Sequence, residues 1–406
     1  MAGPDEQALR RETPGTRNVI HFNNAGASLP IQEVLDVQRE YLEAEALYGG
    51  YEVVTQFSEQ LQRPYDTLAS LLNCAPANIA ILQSATSAWA QVFYGIPLTA
   101  GDRILTSIIE YGANYIAFLQ MAKRVGVAIE VIPEDDEGDI SLPALEVLIT
   151  QGDKKPALIA ITHVPTNSGR VYDAAGVGRL AQAHGVPYLL DACQSVGQLP
   201  LDVQAIGCDW LSGTSRKYLR GPRGVGFLYA SDSAMEKFEP AMLDLYGATW
   251  TATDQYEMQP GARRYEIYEK NFAGMVGLGV AVDYANQLGM DWIWARIQAI
   301  ARELRGKLAR IPGVTVHDRG RLLCGIVSFT KEGVDPGVIM ARLCEQGINV
   351  KTSAISSTRL DFERVHLPPF VVRASVHYFN TADEIEQLVL ALTAVGDCSS
   401  KAREVM

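Results

Sequence analysis

Lys217 lies in a segment whose neighbours are suited to making it a reactive amine. Hydroxyl residues precede it, glycines follow it, and residues 225–229 predict a buried strand. Burial disfavours a charged lysine, so that its neutral amine can attack an aldehyde and form a Schiff base. Thr214, Ser215 and Arg216 could hold a phosphate beside it. A solvated basic turn is the alternative for a lone lysine, but these surroundings favour the reactive amine.

A carboxylate and an amide follow a second apolar stretch. Asp191 comes directly after residues 186–190, and Gln194 lies three positions further on. A carboxylate in such a place can pair with a protonated pyridine nitrogen and keep an aromatic cofactor an electron sink. Gln194 could donate to a phenolic oxygen on the same ring. The alternative for Asp191 is to cap the turn that follows.

Three more loops carry polar residues after predicted strands. Residues 83–87 (Gln-Ser-Ala-Thr-Ser) open a predicted helix, where backbone N–H groups favour an anion, although an ordinary helix cap has the same composition. Tyr111 could lie flat on an aromatic cofactor or be a core tyrosine. His163 and Asn167 lie where polar groups enter a crevice, and a structural role is the alternative for this histidine.

An arginine, Arg373, lies within a predicted strand at residues 371–377. A buried guanidinium needs an anionic partner. A substrate carboxylate gripped by two hydrogen bonds is one candidate, and a structural aspartate or glutamate is the other.

Short apolar stretches alternate with amphipathic segments through the first half of the chain. This pattern predicts a buried, mostly parallel sheet with helices on its faces. Because ligands of such sheets lie beyond the carboxyl ends of the strands, the polar loops described above are expected to meet there. The predicted strands are residues 78–82, 103–107, 127–133, 157–162, 186–190 and 225–229, and the predicted helices are residues 84–94, 113–124, 142–149 and 174–184.

The pattern changes after about residue 290, where strands become fewer. A smaller α+β domain is expected there. Its predicted strands are residues 314–317, 325–330 and 371–377, and its predicted helices are residues 292–310, 337–346 and 382–395.

Composition excludes several classes of protein. The net charge of −12 argues against a nucleic-acid surface. No apolar stretch approaches the ~18 residues of a membrane span, and residues 1–17 lack the apolar core of a signal peptide. The six cysteines are scattered without a CxxC motif, so neither a disulfide framework nor a metal site is expected. We therefore expect a cytoplasmic protein with no nucleic-acid or membrane partner.

Together, these motifs resemble the class V aminotransferase family of fold-type I pyridoxal 5′-phosphate (PLP) enzymes. That family includes cysteine desulfurases, isopenicillin N epimerases and carbon–sulfur lyases. The resemblance runs from about residue 21 to residue 395. It implies an α/β fold with a large domain built on a mostly parallel, seven-stranded sheet and a small C-terminal α+β domain. The expected division is an N-terminal arm at residues 1–30, a PLP-binding domain at residues 31–290 and the small domain at residues 291–406.

The resemblance also implies roles for individual residues. Lys217 matches the lysine that forms the Schiff base with PLP, Asp191 the partner of the pyridine nitrogen, and Tyr111 the residue stacked on the ring. The residues implied or suggested to bind the cofactor are Ala85, Thr86, Ser87, Tyr111, Asn167, Asp191, Gln194, Thr214, Arg216 and Lys217. Those implied to bind or cover an amino-acid substrate are Asn24, Ala25, Asn167 and Arg373.

Two departures from the desulfurases direct the functional prediction. Arg216 precedes the lysine, where desulfurases usually have histidine, and residues 212–226 look more like the lyase that cleaves hercynylcysteine sulfoxide. Residues 352–361 contain no cysteine to accept sulfur, and Cys344 falls in a predicted helix. The predicted activity is therefore a carbon–sulfur lyase that removes the α-proton of a cysteine-derived substrate and eliminates its β-substituent.

Other interpretations stay open. They are a PLP-dependent epimerase or aminotransferase, a cysteine desulfurase, and a binding protein that retains the fold without catalysis. The family resemblance also implies a homodimer with its active site at the subunit interface. In such a dimer, residues 261–271, with Arg263, Arg264 and Lys270, either reach the partner's phosphate or form a solvated loop.

Overall fold

The computed structural model describes residues 4–395, so residues 396–406 of the predicted small domain, including Cys398, lie outside the described residues. Within residues 4–395 the chain forms fifteen strands. They are β1 (Ile20–His21), β2 (Ile79–Leu82), β3 (Arg103–Ser107), β4 (Ala128–Ile132), β5 (Leu158–Thr162), β6 (Tyr188–Asp191), β7 (Trp210–Thr214), β8 (Gly226–Ala230), β9 (Ala248–Ala252), β10 (Gln255–Met258), β11 (Val314–Val316), β12 (Ile326–Lys331), β13 (Ile348–Asn349), β14 (Lys351–Ala354) and β15 (Phe370–Ser375).

The same part of the chain forms fifteen α-helices. They are α1 (Glu6–Arg11), α2 (Gln32–Tyr48), α3 (Gly50–Gln56), α4 (Ser58–Leu72), α5 (Ala85–Phe93), α6 (Gly112–Val125), α7 (Leu142–Thr150), α8 (Ala174–His184), α9 (Val203–Ile206), α10 (Asp232–Lys237), α11 (Phe272–Leu288), α12 (Met290–Leu308), α13 (Pro336–Cys344), α14 (Arg359–Arg364) and α15 (Ala382–Ala394). None of these described helices combines the length and the apolar character that a membrane crossing requires.

Seven strands form the central sheet, in the order β2-β8-β7-β6-β5-β3-β4. Neighbours from β7 to β4 are parallel, whereas β8 runs antiparallel between β2 and β7. Successive residues of the strands enter two separate cores: Ile79 and Ile81 pack in one, and Ala80 and Leu82 in the other. Both faces of the sheet are therefore buried at its inner strands, which explains why most of these strands are largely apolar rather than alternating. The predicted mostly parallel α/β fold is confirmed.

A smaller sheet follows in the order β11-β12-β15-β14, and all of its pairs are antiparallel. Strand β1, near the N-terminus, pairs in parallel with β13. By strand pairing, the N-terminal segment therefore extends the C-terminal elements and not the central sheet. The predicted α+β character of the C-terminal region is confirmed, whereas the exact domain boundaries stay a prediction.

A buried ionic cluster connects the two sheets. Arg170, which follows β5, contacts Glu134 and donates to Asp361 in α14 at 2.9 Å. All three side chains are no more than 2% exposed. Asn167 donates to the second oxygen of Asp361 at 2.7 Å. Because each charge has a partner, the cluster holds α14 against the carboxyl end of β5 without leaving an unpaired buried ion.

We expect Asp361→Asn to lower the free energy of unfolding by about 3–5 kcal/mol, since the change leaves buried Arg170 without one of its two carboxylates. Urea denaturation followed by circular dichroism measures this effect. The matched control is Glu363→Gln on the same helix, because Glu363 pairs with Arg359 at 3.0 Å at the surface. The control should cost less than about 1 kcal/mol. Equal losses in the two variants would contradict the role of the cluster.

Candidate active site

Polar loops at the carboxyl ends of the central strands surround one cavity, as the sequence predicts. Strand β5 ends at Thr162, β6 at Asp191 and β7 at Thr214, and all three residues line the cavity. The residues that line it are Gln83, Ser84, Ala85, Thr86, Trp89, Tyr111, Asn114, Thr162, Val164, Thr166, Asp191, Cys193, Gln194, Thr214, Arg216, Lys217, Gly224 and Val225. The wall thus combines an amine, a carboxylate, hydroxyls and aromatic rings.

Lys217 lies in the turn between β7 and β8 and faces this cavity. Burial lowers the pKa of its amine below the ordinary value, and the positive charges of Arg216 and Arg373 act in the same direction. Asp191 and Cys193 oppose this shift. A lowered pKa increases the neutral fraction of the amine, which is the form that attacks an aldehyde.

Asp191 is the last residue of β6, and both of its carboxylate oxygens accept hydrogen bonds. One oxygen accepts from the backbone N–H of Cys193 at 2.9 Å, and the other accepts from the side-chain amide of Asn114 at 2.9 Å. These bonds fix the direction of the carboxylate. The carboxylate therefore suits a cationic group inside the cavity, as the sequence predicts.

The start of helix α5 opens onto the cavity and suits an anion. Ala85 and Thr86 line the cavity there beside Thr214, and Ser84 caps the helix by accepting from the backbone N–H of Ser87 at 3.0 Å. A β-carbon at Gly226 would lie 2.3 Å from the carbonyl carbon of Ser84, so glycine allows strand β8 to pass close to this helix start. The free N–H groups and the positive end of the helix dipole favour a phosphate.

The structure places two predicted phosphate ligands, Ser87 and Arg216, differently from the prediction. Ser87 is not part of the cavity wall, and its hydroxyl lies 3.0 Å from that of Ser84. Arg216 does line the cavity, but its guanidinium also donates to the carbonyl of Gly26 in the N-terminal loop. We infer that the helix start and Thr214 form the main anion site.

The cavity fits PLP. It offers an amine for the aldehyde, a carboxylate for the ring nitrogen, an anion site for the phosphate, and Tyr111 with 40% of its surface exposed at the wall. The buried Oε1 atom of Gln194 has no hydrogen-bond partner among the described residues, so the wall retains unused polar capacity. The Nε2 atom of Gln194, predicted to donate to the ring's phenolic oxygen, instead donates to the carbonyl of Ala25 at 3.1 Å and to Thr166 at 3.3 Å.

Arg373 on β15 lies behind Thr166 at the cavity wall. Its guanidinium donates to the carbonyl and hydroxyl of Thr166 at 2.8 and 2.7 Å, and to the amide oxygen of Asn23 at 3.2 Å. Burial lowers its pKa to about 10. Within residues 4–395 its partners are neutral, and its Nε atom has none. Since a buried guanidinium favours an anion, Arg373 suits a ligand carboxylate.

Three predicted substrate ligands, Asn24, Ala25 and Asn167, are not among the residues that line the cavity. Ala25 is buried, and its carbonyl accepts from the side chain of Gln194. Asn167 donates to Asp361 in the buried ionic cluster, whereas Thr166 lines the cavity. Asn24 donates to the carbonyl of Ser375 at 2.7 Å, whereas Asn23 contacts Arg373. Their placement gives no support to direct substrate or cofactor contacts by Asn167 or Asn24. The polarity of both motifs indicated the region but not which of two adjacent side chains faces it.

Several further residues lie away from this cavity. Tyr51 and Tyr268 line a separate surface groove. Burial lowers the pKa of His163 to about 4, and its ring lines another cavity, in keeping with a structural role. The three basic residues near residue 265 all have partners in their own chain: Arg263 donates to Gln62, Arg264 to the carbonyl of Met235, and Lys270 pairs with Glu266.

Comparisons with known proteins identify the family of this chain. The family described as "Aminotransferase class-V" matches residues 20–388. A probable cysteine desulfurase of Methanothermobacter thermautotrophicus is 29% identical over 385 residues, covering 94% of this chain and 95% of that protein. The cysteine desulfurase of Shigella flexneri is 27% identical over 407 residues, covering 96% of each chain.

Solved structures share the fold. Apo cysteine desulfurase from Thermococcus onnurineus NA1 superposes with a TM-score of 0.88 at 23% identity, covering 97% of this chain and 98% of that chain. The cystine C-S lyase C-DES, in complex with its product cysteine persulfide, superposes with a TM-score of 0.84 at 23% identity, covering 94% and 99%. The family match spans nearly the whole sequence, and the chain therefore belongs to the class V aminotransferases, a family of PLP-dependent enzymes of fold type I.

Proposed function

We propose that this protein is a PLP-dependent carbon–sulfur lyase that acts on a cysteine-derived amino acid, either an S-substituted cysteine or its sulfoxide. The observation that carries the proposal is the segment near Tyr111. The backbone oxygen of Ser356 would lie 2.4 Å from a β-carbon on Gly112, so residues 355–357 pack beside the cavity wall. This segment supplies serines, which cannot accept sulfur as a persulfide.

The thiol that lines the cavity is also poorly suited to accept sulfur. Burial raises the pKa of Cys193 well above its ordinary value, and the negative charge of Asp191 acts in the same direction. A protonated thiol is a weak nucleophile. Sulfur is therefore expected to leave the site with its own substituent, as the lyase reaction requires.

The side chains around the cavity have distinct tasks in this reaction. PLP, when bound, supplies an electron sink for the carbanion. Arg373 holds the substrate carboxylate, and Asp191 holds a proton on the ring nitrogen. Lys217, with its lowered pKa, takes the α-proton. The electron pair of the carbanion then forms a Cα–Cβ double bond while the carbon–sulfur bond breaks and its electron pair leaves with sulfur, which takes up a proton. The remaining 2-aminoacrylate reacts with water to give pyruvate and ammonia.

A cysteine desulfurase is the second candidate, because the relatives compared above carry that name. It would need Cys193 as the sulfur acceptor within the cavity.

Assembly as a homodimer belongs to this proposal as well. It is supported by large apolar side chains that are exposed on α2, α3 and the β9–β10 hairpin, namely Leu47 (75%), Tyr48 (62%), Tyr51 (76%) and Trp250 (71%).

Lys217→Ala should abolish the visible absorption band of the bound cofactor, because it removes the amine that joins the aldehyde. Absorption spectra of purified, PLP-loaded protein measure the band. Lys123→Ala is the control, since Lys123 is exposed in the last turn of α6. If the folded, substrate-free Lys217→Ala protein kept the band, the assignment would be refuted.

The lyase proposal is tested by supplying S-substituted cysteines and their sulfoxides to the PLP-loaded enzyme. We expect pyruvate to form in proportion to enzyme and time, and Cys193→Ala to retain this activity, because no thiol of the enzyme takes part. Loss of sulfur release in Cys193→Ala, with persulfide detected on the wild type, would favour the desulfurase. Exchange of the α-proton in heavy water without sulfur release would favour an epimerase or aminotransferase.

Arg373→Gln should raise KM for the amino-acid substrate about 10- to 100-fold, since charge-assisted hydrogen bonds contribute about 1.5–3 kcal/mol. Steady-state kinetics measure the change, with whichever S-substituted cysteine or sulfoxide yields pyruvate in the assay above. Arg342→Gln is the control, because Arg342 is exposed on α13 and pairs with Glu345 at the surface. An unchanged KM in Arg373→Gln would place the substrate carboxylate elsewhere.

A further inference from the structure

Glu110 is a second buried carboxylate behind the cavity, and the reaction described above does not use it. It follows strand β3 and is 3% exposed. Its two oxygens accept hydrogen bonds from five groups. These are the hydroxyl of Thr106 (3.0 Å), the backbone N–H of Tyr111 (3.0 Å), the side chain of Asn114 (2.8 Å), and the backbone N–H and hydroxyl of Thr162 (3.1 and 2.6 Å).

The amide of Asn114 connects this carboxylate to Asp191. Its Nδ2 atom donates to Glu110 at 2.8 Å and to Asp191 at 2.9 Å. An amide nitrogen carries two protons, so both are used by the two carboxylates. Rotating the amide by half a turn would place its oxygen against two negative charges. Glu110 therefore determines which end of Asn114 faces Asp191.

The surroundings of Glu110 support a charged carboxylate above about pH 7. Burial is the largest influence and raises its pKa to about 7, and the negative charge of Asp191 adds to this increase. Hydrogen bonds from Thr162, Asn114 and Thr106 lower the pKa. The groups that face it across the packed elements are Asp191 from β6, neutral Thr106 and Thr162 from β3 and β5, and neutral Asn114 from α6, with Tyr111 next along the chain.

We propose that Glu110 is a positioning residue that, through Asn114, keeps Asp191 aimed at the ring nitrogen of PLP, and that its own negative charge strengthens the hold of that nitrogen on its proton. The inference rests on the proposed pairing of Asp191 with the ring nitrogen. It assigns a functional task to a buried carboxylate. Such a task would explain its burial, because burying an ionised group costs free energy. Glu110 would thereby tune how strongly the cofactor withdraws electrons.

The test is nitrogen-15 NMR of the protein loaded with PLP labelled at the ring nitrogen, recorded from about pH 6 to about pH 10. The chemical shift of this nitrogen reports directly whether it carries a proton. In the wild type we expect the protonated signal to persist to high pH. In Glu110→Gln the signal should move toward the unprotonated position, with the midpoint of deprotonation lower by about one pH unit, because a negative charge near the ring is lost.

Asp209→Asn is the matched control, because Asp209 is a partly buried carboxylate that accepts from the backbone N–H of Tyr188 at the opposite end of β6. It should leave the ring-nitrogen signal unchanged. Thr106→Val is a milder variant that removes one donor to Glu110 and keeps the shape of the side chain. It should shift the signal in the same direction by less, so the inference stays testable if Glu110→Gln does not fold.

The outcomes separate this inference from the proposed function. A wild type that binds PLP with an unprotonated ring nitrogen would overturn the pairing with Asp191 and the inference together. A protonated wild type with unchanged signals in both Glu110→Gln and Thr106→Val would overturn the inference alone. An equal shift in Asp209→Asn would also overturn it, since the effect would then be one of general charge.

Discussion

The active site depends on opposite charges that are kept inside the protein without being allowed to neutralise each other fully. Burial lowers the proton affinity of Lys217, while Asp191 opposes that shift from across the cavity. Asp191 in turn has both oxygens occupied by N–H donors, so its charge is held in one direction. The fixed carboxylate can then face the ring nitrogen of the cofactor, while the amine, which is partly neutral, faces its aldehyde.

This arrangement requires the central sheet and the small sheet to keep the same position relative to each other. Lys217 and Asp191 belong to the central sheet, whereas Arg373 belongs to the small antiparallel sheet. The cluster of Glu134, Arg170 and Asp361 fixes one side of the boundary. On the other side, Arg220 donates to Leu29 at 2.8 Å, to Tyr378 at 2.6 Å and to Thr13 at 2.5 Å, and so joins the N-terminal segment to both sheets.

The central sheet and the identity of the main site residues could be predicted because buried parallel strands are short, apolar and followed by polar loops. Lys217, Asp191, Thr86 and Thr214 all follow or end such strands, and the structure brings them to one cavity. The prediction was least reliable where two adjacent residues were both polar. Thr166 and Asn167 can both form hydrogen bonds, but in the loop after β5 the first lines the cavity and the second donates to Asp361. Only one of the two faces the cavity.

By itself, the sequence determined six of the seven central strands, the class of the fold and the polar loops that follow those strands, because these follow from local apolar patterning. Strand β7, which ends at Thr214, was not predicted. The tertiary structure decided which polar atoms form hydrogen bonds within the protein and which remain unpaired. It placed Arg373 among neutral partners and Asn167 against Asp361, and it connected Glu110 to Asp191 through one amide. Such pairings join residues up to 350 positions apart along the chain, so only the packed fold could reveal them.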